Sequence, residues 1–524
     1  MSEQPASSTV NKSVVWAIVG LLLIYLVALV FFHLPQTGTE IIAEAKEQEH
    51  PEQTVSQDSD AGESAREQAA FHPPYWMALP FVLLLGAIAV LPLHPLTAHW
   101  WESNLHRFYI AGGLAAITLA YYLFLCTTPL HTHWLVHHIV RPAEYGPNLA
   151  EAFAVFCDAV LGEYIPFIVL LFSLYTISGG IRIEGDLPAH PLTNAAFLAA
   201  GAVLASFIGT TGAAMLLIRP LLDTNSERKH VRHTVIFFIF MVCNCGGLLL
   251  PIGDPPLFLG YLLGVPFLWT IHLLPEWLFV NGLLLAIYFV WDVLYCYPRE
   301  APRDIARDET RVHRLRFGGL WPNVPLLLGV IFGVALLDPS KPFPGTDWHP
   351  WLYLREMIQL VCVALSLTFG SSAVRRANRF NYAAIVEVAV LFLGIFICMQ
   401  PPLQILNVRG PSLGLSSPTH FFWATGLLSS FLDNAPTYVV FFQTAKTLGG
   451  VPAIAGVAEP LLVAVSLGAV FMGANTYIGN GPNFMVKTIA QRRGVPMPGF
   501  FGYMLYSCLI LLPLLALTNW LFLR

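Results

Sequence analysis

Charge is what this chain has least of: Asp, Glu, Lys and Arg together make up 11% of its 524 residues, while 56% are hydrophobic. That balance excludes an ordinary soluble domain, which carries about a quarter of its residues charged. No basic stripe runs along any segment, so a nucleic-acid partner is excluded as well. The eight cysteines contain no CxxC pair, and the closest two, Cys243 and Cys245, have no second Cys or His pair beside them. Buried thiols are expected rather than a zinc framework. The formal net charge of −5 carries little information, because much of the acid lies in one polar segment, Thr37 to Gln68. Without apolar periodicity, that segment is expected to be a solvated external linker.

What the chain has instead is hydrocarbon. Windows long enough to cross a bilayer, about 20 residues each, occur near 14–32, 74–94, 107–126, 159–180, 234–263, 270–296, 321–338, 353–370, 382–403, 458–490 and 498–522. Two more apolar stretches, 192–222 and 416–448, are interrupted by polar residues near their centres and read as re-entrant hairpins. With Lys12 inside, alternation puts the arginine-rich segment Arg299 to Arg316 and the clusters Glu227 to His233, Arg375 to Arg379 and Gln491 to Arg493 inside too, provided each hairpin returns to the side it entered. The expected fold is an all-α polytopic membrane protein with about eleven transmembrane helices and two re-entrant hairpins. Its first span reads as a retained anchor rather than a cleaved signal, because the apolar core is long.

The chain also resembles itself. At an offset of 224, Glu163 falls on Glu387 and "SFI" (Ser206 to Ile208) falls on "SFL" (Ser430 to Leu432). At 226, "GLLLPIGDPPLF" (Gly247 to Phe258) falls on "GANTYIGNGPNF" (Gly473 to Phe484). Each half then holds five crossings and one hairpin, and an odd number of crossings turns the halves opposite ways. This is the inverted-repeat plan of secondary transporters, in which broken helices meet hairpin tips near the midplane. The expected organisation is an anchor and linker over 1–73, a first repeat over 74–298, a cytoplasmic linker over 299–320 and a second repeat over 321–524. Pro251, Pro255 and Pro256 in one half, and Gly479, Gly481 and Pro482 in the other, supply the breaks.

A carboxylate at membrane depth costs roughly 2.5–3.5 kcal/mol on insertion scales and needs a partner or a role. Asp433 sits in "SSFLDNAPTYVVFF", and its repeat mate is Gly209; Asp254 sits in the first break and faces Asn480 in the second. Two acids with no lysine or arginine suit a cation, with oxygen ligands from Thr210, Thr211, Asn434, Asn480 and freed backbone carbonyls. Asn244, Thr437, Asn475 and Thr476 flank the same breaks and join the candidate ion or substrate site. A sodium ion in transit would sit against Asp433, Asn434 and Asp254. The plainer alternative is that Asp254 and Asp433 only cap half-helices. Glu163 and Glu387 recur at one repeat position and could carry protons or join helices. Asp158 and Asp292, near span ends, are expected to face water. In "HTHWLVHH" the spacing could gather His133, His137 and His138 around a metal, with interfacial histidines the plainer reading.

These residues resemble a known group. "NCGGLLLPIGDPPLFLG" (Asn244 to Gly260) and "SSFLDNAPTYVVF" are similar to the paired motifs of the ion transporter superfamily, which includes NhaD-type sodium/proton antiporters, citrate and dicarboxylate carriers and arsenite permeases. Within it, the chain is most similar to the citrate transport (CitMHS-like) and sodium/proton antiporter branch. The resemblance implies a homodimer in the cell (inner) membrane, with a scaffold and a moving transport domain. Leu257 stands where the pattern has asparagine, although Asn483 keeps that amide in the second repeat. The hairpin tips read "GTT" and "DNA" instead of the Ser-Asn-Thr of dicarboxylate carriers, which weakens a free dicarboxylate as cargo. The expected function is secondary transport by sodium/proton antiport at Asp433 and Asp254. The alternative is a citrate or related carboxylate carrier taking the anion as a metal complex. An intramembrane paired-acid enzyme is the third reading, opposed by the repeat and by the absence of a nucleophile motif. No resident cofactor is expected, with Na+ and H+ as cargo.

Overall fold

The computed structural model describes residues 6–52, 72–92, 94–132, 134, 139–143, 146–310 and 313–524. Helices dominate, joined by three two-stranded antiparallel ribbons at Leu130–His131 with Ile139–Val140, Arg182–Asp186 with His313–Gly318, and Ala453–Ile454 with Val457–Ala458. Among the described residues, 6 helices are long and apolar enough to cross a membrane, or 7 if the bent pair Ala383–Cys398 and Gln400–Leu413 is one span. The protein is thus an all-α multi-pass membrane protein. Several expected spans are shorter than a crossing needs because prolines and glycines cut them. Arg232–Leu248 and Glu459–Asn475 end at the two predicted breaks, and Leu320–Leu336 is likewise short. Pro191–Ile208, expected as half of a hairpin, is itself long and apolar enough to cross.

The chain divides into two compact units, and each takes one segment from either side of residue 320. The first comprises Met1–Ile177 and Trp321–Gly410. Its centre is the packing of Ala383–Cys398 on Asn104–Phe124. Gly394 makes the approach possible, since a Cβ there would lie 2.8 Å from the Ala111 carbonyl oxygen. The pair is joined by Arg107 Nη2 to Glu387 Oε1 at 2.9 Å. The helix Ala6–Val30 packs on Leu354–Phe369, with Tyr25 Oη donating to the Leu352 carbonyl at 3.1 Å. The acidic segment is helical over Leu34–Glu52, where Thr39 is buried and donates to the Pro350 carbonyl. Its first turns are therefore packed rather than solvated, because Thr39 finds a backbone acceptor.

The second unit comprises Ser178–Leu320 and Pro411–Arg524. It holds two helix–break–helix elements, Pro191–Ile208 with Thr210–Thr224 and Pro418–Phe431 with Asn434–Lys446, and in each the two helices lie against one another. The first breaks at Gly209, whose φ of 78° favours glycine. The second breaks at Leu432 and Asp433, both extended. Two broken helices accompany them. Arg232–Met241 passes through a short turn of helix, Cys245–Leu248, and restarts as Pro255–Leu262. Glu459–Met472 passes through Gly473–Asn475 and restarts as Gly481–Arg492.

Two carboxylates expected to face water are buried instead. Asp292 is 0% exposed, because Arg228 donates to both of its oxygens, at 3.0 and 2.5 Å, and His233 Nε2 lies 3.1 Å away. Asp158 accepts the Trp134 backbone N–H at 2.6 Å and is also buried. Of the cysteines, Cys126, Cys157, Cys243, Cys245, Cys362 and Cys398 are buried, Cys296 is partly exposed and Cys508 is exposed. His133, His137 and His138 lie outside the described residues.

Candidate functional site

The first break exists because "PIGDPP" offers few backbone donors, and the polypeptide leaves helical geometry before Pro255. Asp254 is the last extended residue, at φ −142° and ψ 142°. Its counterpart Asn480, at φ −152° and ψ 141°, immediately precedes the second half-helix. After each, the same bond forms: Leu257 N–H to the Asp254 carbonyl and Asn483 N–H to the Asn480 carbonyl, both at 3.1 Å. Both breaks close tightly on themselves through glycine. A Cβ on Gly253 would fall 2.2 Å from the Gly247 oxygen, and one on Gly479 would fall 2.6 Å from the Gly473 oxygen.

Asp254 is the hub. It is 1% exposed, and its oxygens receive three side-chain donors: Thr210 Oγ1 at 2.9 Å and Asn480 Nδ2 at 3.2 Å on Oδ1, and Asn434 Nδ2 at 2.5 Å on Oδ2. One carboxylate thus links the first residue of Thr210–Thr224, the first residue of Asn434–Lys446 and both broken helices. Although it stands where a helix cap would, its side chain does not cap Pro255–Leu262. Asp433 does the reverse. It caps Asn434–Lys446 by accepting the Ala435 N–H at 3.1 Å, and it remains partly exposed. The Thr437 hydroxyl donates to the Asp433 carbonyl at 3.0 Å and tightens the same turn.

The freed backbone carbonyls, expected as ion ligands, are taken by side chains. Ser206 donates to the Gly246 oxygen at 2.6 Å, and Ser430, its repeat mate, donates to the Met472 oxygen at 3.2 Å. Trp277 Nε1 also reaches Gly246, Asn281 reaches Cys245, Thr270 reaches Leu249, and Tyr503 Oη reaches Ala474. Asn483 Nδ2 donates to the Gly473 and Thr476 oxygens, both at 2.9 Å. Buried carbonyls left unpaired would cost about 1–3 kcal/mol each, so this satisfaction holds the breaks in shape. Asn244 belongs to the same framework: it donates to Asn483 Oδ1 and the Ile239 carbonyl, both at 2.8 Å, and accepts from Asn480 at 3.2 Å. Thr476 donates to the Ser430 carbonyl and accepts the Ile478 and Gly479 N–H groups.

Of the expected site residues, two have a buried amide oxygen with no hydrogen-bond partner among the described residues, Asn434 at Oδ1 and Asn475 at Oδ1. With the carboxylates of Asp433 and Asp254, they are the oxygens that could meet a cation; Thr211 is only partly buried. Glu163 and Glu387 belong to the first unit. Glu387 pairs with Arg107, the inter-helix role, whereas Glu163 Oε2 is buried with no hydrogen-bond partner among the described residues. Asn483, Ser206, Ser430, Trp277, Asn281 and Tyr503 were not among the expected site residues. The two serines had a signal in their recurrence in the repeat and Asn483 had one in its motif position; Trp277, Asn281 and Tyr503 had none.

Paired breaks, packed hairpins and a buried carboxylate whose side-chain donors, among the described residues, are all neutral are the arrangement expected of a multi-pass transporter. The comparison with known families agrees: the family described as "Putative citrate transport" matches residues 133–523, and the chain belongs to it. Part of the chain also resembles the P protein of three mammals. It is 34% identical to that of Mus musculus and 23% identical to that of Sus scrofa, each over 242 residues, or 41% of this chain. The similarity to the Homo sapiens protein is 23% over 217 residues, or 38% of this chain. The matched stretch spans only 25% to 28% of those relatives' own length.

Proposed function

We propose that this protein is a secondary active transporter of the cell (inner) membrane that exchanges protons for a monovalent cation, sodium foremost, at Asp433 and Asp254. The observation that carries the reading is the surroundings of Asp254: three neutral side-chain donors and, among the described residues, no cationic partner. A buried carboxylate without a cationic partner is stabilised by a proton or by a metal ion, so the two compete for it. Asp433 has one capping bond and partial exposure, which suits it to receive cargo. Asn434 and Asn475 contribute neutral oxygens of the kind a hard cation prefers. The matched geometry at Asp254 and Asn480, and at Ser206 and Ser430, supports an inverted repeat, the usual basis for opening alternately to two sides. All of these groups fall in the second unit, which we infer to be the cargo-bearing one, and a homodimer is the assembly the family resemblance implies.

Family membership favours a second reading, carriage of citrate or another carboxylate. A free polycarboxylate would meet two acids and no cation at this site, so its entry as a metal complex is the form the chemistry allows. Everted vesicles separate the readings. Sodium added to an acidified lumen should collapse the pH gradient, and Asp433→Asn should abolish that response. Gradients indifferent to sodium, alongside saturable citrate uptake, would overturn the exchange reading in favour of the second.

A further inference from the structure

The ribbon of Arg182–Asp186 and His313–Gly318 is amphipathic, and each of its strands adjoins an apolar helix in the chain. Ile183 pairs with Phe317, and side-chain alternation puts Leu315 on the same face. The opposite face carries Arg182, Glu184 and Arg316, and the register shift between Glu184 and Asp186 leaves Arg314 exposed at an irregularity beside them. Gly185, at φ 144°, lets the strands close, because a Cβ there would lie 2.8 Å from Leu315 Cα. The apolar face is open: Leu315 is 37% exposed and Phe317 56%. Arg182 is paired with Glu184, whereas Arg314 and Arg316 are exposed and in no ion pair among the described residues.

Chain continuity fixes where this ribbon can lie. Residues 179–181 alone separate its first strand from the span Leu149–Ser178, and such a link reaches at most about 10 Å. Gly319 alone separates its second strand from the apolar helix Leu320–Leu336. The positive-inside rule assigns this arginine-rich segment to the inner face, where the leaflet is anionic. We propose that the ribbon is a lipid-docking surface: Leu315 and Phe317 enter the acyl boundary, and Arg314 and Arg316 reach back to bind the phosphate of anionic phospholipid. The helix Thr210–Thr224 packs against the first strand, so the docked ribbon braces the element whose first residue holds Asp254.

The test is native mass spectrometry of the full chain in non-ionic detergent with equal phosphatidylglycerol and phosphatidylcholine. The wild type should retain phosphatidylglycerol preferentially, and the double variant R314Q/R316Q should lose that preference by about tenfold or more. Phe317→Ser should weaken retention of both lipids. An unchanged preference in the double variant would overturn the proposal. A second measurement needs no charge variant: a photoreactive phenylalanine analogue at position 317, irradiated in native membranes, should attach to lipid. Attachment to protein alone, or full reaction with a water-soluble quencher, would also overturn it.

Discussion

Replacing Thr210 by valine removes one donor from Asp254 while leaving the shape of the hairpin tip nearly unchanged. The Thr210 backbone N–H still donates to the Gly253 carbonyl at 2.9 Å, so the tip keeps its seat on the broken helix. What is lost is the hydroxyl bond to Asp254 Oδ1 at 2.9 Å, at a carboxylate whose residue is 1% exposed. Hydrogen bonds to charged groups contribute about 1.5–3 kcal/mol. If Asp254 must be held in place to exchange a proton for a cation, that energy appears in cation affinity, as about a ten- to hundredfold rise in the sodium concentration giving half-maximal exchange. Thr210→Ser, which keeps the hydroxyl, should stay within about threefold of wild type. The assay is sodium-dependent proton movement in liposomes containing purified protein, with thermal unfolding of the same preparations in parallel. A half-maximal concentration unchanged in Thr210→Val, together with a lowered unfolding temperature, would refute the reasoning and leave Asp254 a purely structural acceptor.

Arg228→Met should be far more damaging than an ordinary surface change. It leaves Asp292 and Glu300, both with fully buried side chains, without their guanidinium, at a cost of about 3–5 kcal/mol read as lost yield of monodisperse protein. Ser430→Ala should lower thermal stability by about 1–3 kcal/mol, because it takes a donor from the Met472 carbonyl and the acceptor from Asn475 Nδ2, whereas Ser206→Ala should cost less, because Trp277 Nε1 still donates to the Gly246 carbonyl. Gly246→Ala should destabilise by at least about 1–3 kcal/mol, since its Cβ would fall 2.6 Å from the Ala202 backbone, which cannot swing aside; circular dichroism melts of the purified variant check it.

The helical, membrane-spanning character was legible from composition, and both breaks were legible from their Pro and Gly clusters, because a missing proline donor and the weak helical preference of glycine both act locally. The likeness of the two halves, seen as a few identities at nearly constant offset, reappears as matched backbone angles at Asp254 and Asn480. Span lengths were less legible, since the apolar window over 234–263 continues straight through the break after Met241. The roles of the two acids were legible only in part. Both stand at the start of a helix in sequence, but which one caps depends on donors far along the chain: Thr210, Asn434 and Asn480 draw the Asp254 side chain away from its own helix. The burial of Asp292 was hidden for the same reason, because its partner Arg228 lies 64 residues away. Nor could a sequence of freed carbonyls reveal that Trp277, Asn281 and Tyr503 would fill them.

In the proposed exchange, cation and proton compete for the carboxylates of the second unit. Its most direct test records sodium uptake and lumenal pH together in liposomes containing the purified protein, for wild type and for Asp254→Asn. Sodium entry is expected to drive proton exit in the wild type, and both signals to vanish together in the variant. Proton movement that persists in Asp254→Asn, or sodium uptake with no change of lumenal pH in the wild type, would contradict the proposed exchange.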